Sequence, residues 1–185
     1  MNLKKFLAIV LSLAMVLGSM GTVVFAENAS QPVYVAHLAG VDGEAGLITD
    51  LNTAFTEEVN PGAKQVLLLT DWTGDVNIDR SEEHRLYLNG YTFNGELKVT
   101  TATLMNLNGI EAGNDSAGQD SRITNTGIDG NYAIHNLSSA NFNISYPMTI
   151  TATEDNGVAI RTEDGKMYLK NDGIVVNGDI EYAPG

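Results

Sequence analysis

Apolar positions along the chain fall into many short runs separated by Gly, Asn and Asp. Runs at 66–70, 76–78, 86–88, 97–99, 104–107, 142–144, 148–150, 158–160, 167–169 and 174–176 have the length and composition of strands. In Leu86-Tyr87-Leu88, Phe142-Asn143-Ile144 and Met167-Tyr168-Leu169 the outer two residues are apolar. A period of two turns those residues to a core and the middle one outward. Ahead of these runs, 33–36 reads as a first strand and the Gly-rich 40–46 as a turn. Leu51, Ala54, Phe55 and Val59 then recur at i, i+3, i+4 and i+8 behind Asp50 and before Asn60-Pro61-Gly62. That spacing predicts a helix over 51–59 with one apolar face to bury.

The runs come back into phase. Strand starts aligned at Leu97, Ile123, Met148 and Ile174 are 26, 25 and 26 residues apart. Within that period Ala133-Ile134-His135-Asn136 and Phe142-Asn143-Ile144 match Ala159-Ile160-Arg161-Thr162 and Met167-Tyr168-Leu169. A sandwich has no reason to repeat in this way, whereas a solenoid of short strands and tight corners does. The expected fold is all-β, a right-handed parallel β-helix of about four to five coils, with the 51–59 helix capping its N-terminal end. Asn89-Gly90, Asp129-Gly130, Asn156-Gly157, Asp164-Gly165, Asp172-Gly173 and Asn177-Gly178 supply the corners, where positive φ is needed. Nothing comparable to the cap follows the last run, so the C-terminal coil is expected to be open to pairing with another chain.

The first 26 residues read as a secretory leader: Lys4 and Lys5, an apolar core over 6–17, and Val24-Phe25-Ala26 at the cleavage site. The domain reading is a leader at 1–26, a lead-in at 27–32 and one β-helix domain at 33–185. That domain divides into a first strand and helix at 33–65 and coils at 66–185. Composition sharpens this picture of a secreted, extracellular protein. Ten Lys and Arg stand against 23 Asp and Glu, a net charge of −13. Such a surface repels phosphate backbones and anionic bilayers, which argues against nucleic-acid partners. After the leader no apolar run approaches the roughly 20 residues that span a bilayer. With no cysteine there is neither a disulfide nor a thiolate metal site, and burial and backbone pairing must hold the fold.

The order Val33-Tyr34-Val35-Ala36, Leu51, Ala54 and Phe55, then Leu67-Leu68-Leu69-Thr70-Asp71 and Leu86-Tyr87-Leu88-Asn89-Gly90-Tyr91-Thr92-Phe93 resembles a module of bacterial secreted and cell-surface proteins. These are the pectate-lyase-like right-handed β-helix proteins. The resemblance covers roughly 33–99 and extends into the later coils through their repeat. It implies the same fold and an extracellular setting. Members of that family include polysaccharide lyases and hydrolases, and also large surface proteins in which such modules serve as stalks or binding regions.

Candidate chemistry is sparse. A hydrolase on this scaffold needs paired carboxylates, and none is evident between coils. A lyase needs a strong base near a cation, for which Arg161, beside Glu154, Asp155, Glu163 and Asp164, is the best candidate. The same pattern describes a surface ion pair. Calcium is the one cofactor considered, through turn carboxylates at Asp155, Asp164, Asp172 and Asp179, although these also serve as turn residues. His37, His84 and His135 have no zinc spacing, and His135, in phase with Arg161, reads as an outward surface residue. Trp72, Tyr87, Tyr91, Tyr132 and Tyr168 are the candidate binding residues, a strip on which sugar rings would stack. The expected role is therefore non-catalytic: a surface or adhesion module displaying residues to an extracellular glycan or a surface protein. A lyase or hydrolase acting on uronate-containing polysaccharide is the alternative.

Overall fold

The computed structural model describes residues 32–109 and 120–183. The leader, all but the last residue of the lead-in, and 110–119 lie outside them. Two short strands open the fold, β1 (Ala36–Leu38) and β2 (Leu47–Ile48). Fifteen follow: β3 (Val66–Leu68), β4 (Trp72–Thr73), β5 (Val76–Asp79), β6 (Glu83–Tyr87), β7 (Thr92–Asn94), β8 (Leu97–Thr101), β9 (Leu104–Asn108), β10 (Arg122–Asn125), β11 (Ile134–Asn136), β12 (Asn141–Ser145), β13 (Met148–Ala152), β14 (Val158–Thr162), β15 (Lys166–Leu169), β16 (Ile174–Asn177) and β17 (Asp179–Tyr182).

From β3 onward the strands are dealt in rotation to three parallel sheets. Sheet A runs β15-β12-β9-β6-β3, sheet B β16-β13-β10-β7-β4, and sheet C β17-β14-β11-β8-β5. Each group of three consecutive strands thus stacks on the three before it, a β-helix-like solenoid. At one end β1 and β2 extend sheet A in antiparallel fashion.

Registered stacking builds the core. Leu86, Leu107 and Ile144 form one inward row and Phe93, Ile123 and Ile150 another, all fully buried. Each such side chain contributes about 1.5–3 kcal/mol by leaving water, so the rows supply what disulfides do not. Five of the six expected corners have the positive φ that their composition predicts, and Asp172-Gly173 has it at neither residue. Asn89-Gly90 and Asp129-Gly130 have positive φ at both residues, 52° and 84°, then 53° and 83°.

The repeat matches where the later strands stack: Ile134, His135 and Asn136 pair with Ile160, Arg161 and Thr162, and Phe142, Asn143 and Ile144 with Met167, Tyr168 and Leu169. Two alignments are corrected: Ile123 stands opposite Ile150 rather than Met148, and Leu97 is not in its row at all. Leu97 lies in sheet C opposite Val76 and Ile134, and it is Phe93 that is in phase with Ile123. The connection across 109–121 lengthens that circuit, so a constant period cannot be carried back through it. Strands β4, β7 and β17 escaped the apolar-run reading because Trp72-Thr73, Thr92-Phe93-Asn94 and Asp179-Ile180-Glu181-Tyr182 are too polar.

The α-helix expected over 51–59 is instead a single 3-10 turn, Thr53–Phe55. Thr53 and Thr56 donate their hydroxyls to the carbonyls of Asp50 and Thr53, at 2.7 and 2.8 Å. The backbone N–H groups of Thr53, Ala54 and Thr56 also reach back three residues, and Thr56 leaves extended at ψ 154°. Hydroxyl residues that satisfy nearby carbonyls compete with an i−4 ladder. The apolar spacing still has its effect, because Leu51, Ala54 and Phe55 are buried in the core. Buried Asn60 holds the following loop, donating to the carbonyls of Ala54 and Lys64 and accepting from the Lys64 N–H. Arg80 ties this segment to the strands: it pairs with Glu57 and Glu82 and donates to the carbonyl of Asn60 at 3.1 Å. The first strand, expected over 33–36, forms at Ala36–Leu38, although Val35 already bonds Ile48 and Leu69.

Candidate functional site

Each sheet presents a different outer face. On sheet B, Thr73, Asn94, Thr124, Thr151 and Asn177 stand in register. The Thr124 hydroxyl donates to Asn94 at 3.1 Å and the Asn177 amide to Thr151 at 3.3 Å. Two of the four neighbouring pairs in this row are thus hydrogen-bonded to each other across strands.

On sheet C, Asn77, Lys98, His135, Arg161 and Glu181 form a charged ladder. His135 is only 9% exposed. Its Nδ1 lies 3.0 Å from Glu96 and its Nε2 3.3 Å from Glu163, with Tyr132 edge-on at 4.8 Å. Arg161 bonds Glu163 through Nε at 3.1 Å and Glu181 at 2.7 Å, and its guanidinium lies 5.5 Å from the Tyr132 ring centre. These contacts raise the Arg161 pKa, the Glu163 hydrogen bond foremost, and hold the Glu163 carboxyl below its usual range through Arg161 and then His135. A general base must give up its proton, and Arg161 is held in the opposite sense. Its partners are Glu163 and Glu181, not the sequence neighbours Glu154, Asp155 and Asp164. His135, expected as a plain surface residue, is roofed by Tyr132 and clamped between two carboxylates.

Sheet A carries the concave face. A groove of about 410 Å³ is lined by Tyr87, Asn106, Asn108, Ser145, Tyr146 and Asn171, with Arg85 and Lys170 as its charged members. Local sequence explains the placement. In β6, β9 and β12 alternate residues point out, so Arg85 and Tyr87, Asn106 and Asn108, and Asn143 and Ser145 line up across three strands. Asn143 donates to Asn106 at 2.9 Å, Asn106 to Glu83 at 3.2 Å, and Arg85 to Glu83 at 2.8 Å. The Glu83 bond is the main cause of a raised Arg85 pKa. At the groove's edge Tyr146 sits at φ 67°, a left-handed conformation that a bulky side chain rarely holds. Lys170 lies 5.8 Å from the Tyr168 ring centre. Arg85 also borders a second concavity of about 520 Å³, lined in part by Lys64, Gln65, Glu82 and Glu83.

No family model, curated protein or solved structure matches the chain. The site is therefore read from its own residues.

The five expected aromatics do not form one strip. Tyr87 and Tyr168 share the outer face of sheet A, on β6 and β15. Trp72 is opposite inward Phe93 in sheet B, packs against the core and donates its indole N–H to the Gly74 carbonyl at 2.9 Å. Tyr91 packs against the core at a corner, and Tyr132 belongs to the charged ladder. Alternation along a strand predicts in or out, but Trp72 lies on a strand too short to show it. The groove residues Asn106, Asn108, Ser145, Tyr146 and Asn171 were not singled out from sequence. The Asn-x-Asn of β9 opposite Asn-x-Ser in β12 is the signal that could have found them, once the register was known. Among the described residues no group of three or more His, Asp or Glu is arranged to hold a metal ion, so Asp155, Asp164, Asp172 and Asp179 do not converge. The Asp164 carboxylate accepts from the Gly165 N–H, an ordinary turn bond.

Proposed function

We propose that the chain is a secreted, non-catalytic display module that binds a glycan in the groove on the outer face of sheet A. The reading takes the fold as a right-handed, pectate-lyase-like β-helix of about five coils, whose first segment caps one end.

The observation that carries the proposal is the lining of the groove. In a chain with 23 acids its lining contains no carboxylate, and it presents Tyr146, Asn171, Asn106 and Ser145 over the buried Tyr87 and Asn108. Sugar rings present apolar faces, which stack on aromatic rings, and hydroxyls, which pair with amides. Tyr146 adds to this reading, since left-handed bulky residues are held against a cost of about 1–2 kcal/mol and concentrate where ligands are gripped. The ion-paired state of Arg161 disfavours the lyase alternative.

The test is retention and product release on plant, mucin and cell-wall polysaccharides, with Tyr146→Ala and Asn171→Ala beside the unaltered protein. Expected are retention without product and a loss of at least about tenfold in affinity in each variant, with the melting temperature unchanged in Tyr146→Ala and slightly lowered in Asn171→Ala, which loses the acceptor of the Gly173 N–H. Released product, no retention on any polymer, or full affinity in Tyr146→Ala would overturn the reading.

A further inference from the structure

We infer that the glycan lies across the strands of sheet A and continues out of the groove into the second concavity, where Lys64, Gln65 and Glu83 hold its next part. This continuation rests on the glycan reading of the groove and adds a second subsite to it. One row of outward side chains crosses both concavities. Val66 is opposite Leu86, which sets Gln65 beside Arg85, and Arg85, Asn106, Asn143 and Tyr168 then stand opposite one another in turn. The 410 Å³ groove and the 520 Å³ concavity meet on this row, with Arg85 in the lining of both. From β6 to β15 the groove covers three strand steps, about 14 Å, and from β6 through β3 to Ala39 the concavity adds two more, about 10 Å. A chain lying along the row therefore has a bed of about 24 Å.

The concavity has a fixed wall. Asn60, fully buried, accepts the Lys64 N–H at 2.7 Å and donates to the Lys64 carbonyl at 3.0 Å. Between them Ala63 is held left-handed, at φ 48°. The Ala39 N–H donates to the Gln65 carbonyl at 2.8 Å, which ties the same wall to β1. A wall already in place loses little conformational freedom when a ligand arrives.

Its polar groups match hydroxyls. Arg85 and Asn106 both bond Oε1 of Glu83, at 2.8 and 3.2 Å, and Oε2 is left to accept. Among the described residues no hydrogen bond or ion pair engages the Lys64 ammonium or the Gln65 amide. Donors and acceptors thus stand side by side, and a hydroxyl, which gives one hydrogen bond and takes others, satisfies both. The groove supplies the aromatic platform at Tyr146, and the concavity supplies hydroxyl contacts to the sugars that follow.

Isothermal titration with cello-, xylo-, chito- and galacturono-oligosaccharides, each from dimer to octamer, tests this on the unaltered protein and on Lys64→Ala, Gln65→Ala and Tyr146→Ala. In a series that binds, affinity should go on rising once the oligomer exceeds about 14 Å and should level off near about 24 Å. Lys64→Ala and Gln65→Ala should each lose about fivefold in affinity for the longest oligomers and nothing for the shortest that binds, whereas Tyr146→Ala should lose at both lengths. A plateau at about 14 Å, or full affinity of Lys64→Ala and Gln65→Ala at every length, would overturn the second subsite and leave the groove reading standing. Equal losses in those two variants at short and long lengths would overturn it as well, since a contact made only by the far part of the chain cannot affect an oligomer that never reaches it. No binding in any series would remove the glycan reading and the second subsite with it.

Discussion

Leu86, Leu107, Ile144 and Leu169 occupy one inward row, so Leu107→Ala and Leu169→Ala are the same chemical change at two depths. Leu107 is fully buried, with a strand on either side, whereas Leu169 is 46% exposed on an edge strand. In a closed core, Leu→Ala loses the transfer energy of the deleted carbons and leaves a cavity, together about 3–4 kcal/mol. Leu169 leaves no enclosed cavity, and about half of its surface already meets water, so only part of the transfer term is at stake, about 1 kcal/mol. A chain of this size loses about 2–4 °C of Tm per kcal/mol, which predicts falls of about 10 °C and about 3 °C. Urea titration and thermal melting by far-UV circular dichroism at sub-micromolar concentration measure both. Unchanged m-values would show that the same unfolding is being compared. Equal losses at that concentration would refute the argument from burial.

Two other predictions rest on single positions. Gly127 has φ +81°, and a Cβ there would lie 2.4 Å from the Ala152 Cβ and 2.9 Å from the Val158 nitrogen. Gly130, at φ +83°, has open space instead. Gly130→Ala should therefore cost only the left-handed penalty of about 1 kcal/mol, and Gly127→Ala at least about twice that, measured by urea titration; equal costs would show that the neighbours yield freely. His84 is buried edge-on to Phe55 and donates its Nε2–H to the Arg80 carbonyl at 3.1 Å, and among the described residues its Nδ1 has no hydrogen-bond partner. Burial, the largest cause, lowers its pKa from 6.5. The unfolded chain then takes up the proton first, so this contribution is whole above about pH 6.5 and is lost as pH falls through the window below it. Melting curves from pH 7.5 to 5 should show stability falling with pH, and His84→Gln should remove that part of the fall. An identical slope in the variant would assign it to other groups.

Much of the architecture was legible without coordinates, because strand alternation and corner chemistry are local. Ile134, Phe142, Ile144 and Ile160 reveal an inward face within three or four residues, and Asn-Gly or Asp-Gly marks the left-handed corner after it. The repeat of Ala133-Ile134-His135-Asn136 in Ala159-Ile160-Arg161-Thr162 correctly predicted that His135 and Arg161 would stack. Amphipathic spacing alone misjudged 51–59: Leu51, Ala54 and Phe55 are buried as predicted, but hydroxyl-to-carbonyl bonds from Thr53 and Thr56 left a 3-10 turn where an α-helix was expected.

What the sequence by itself determined was the in-or-out sense of most strand residues and the acidic, cysteine-free composition that makes stacking the source of stability. Only the tertiary structure decided which outward residues share a face. Tyr87, Asn108, Ser145 and Lys170 come from four different passes of the chain, and their meeting depends on register across sheet A. Register is set by the lengths of the connections between passes. The span across 109–121 is longer than the others, so no single period extrapolates through it. Tyr132 and Trp72, equally plausible as sugar platforms in the sequence, were placed elsewhere by that same geometry: one over His135 and Arg161, the other against the core.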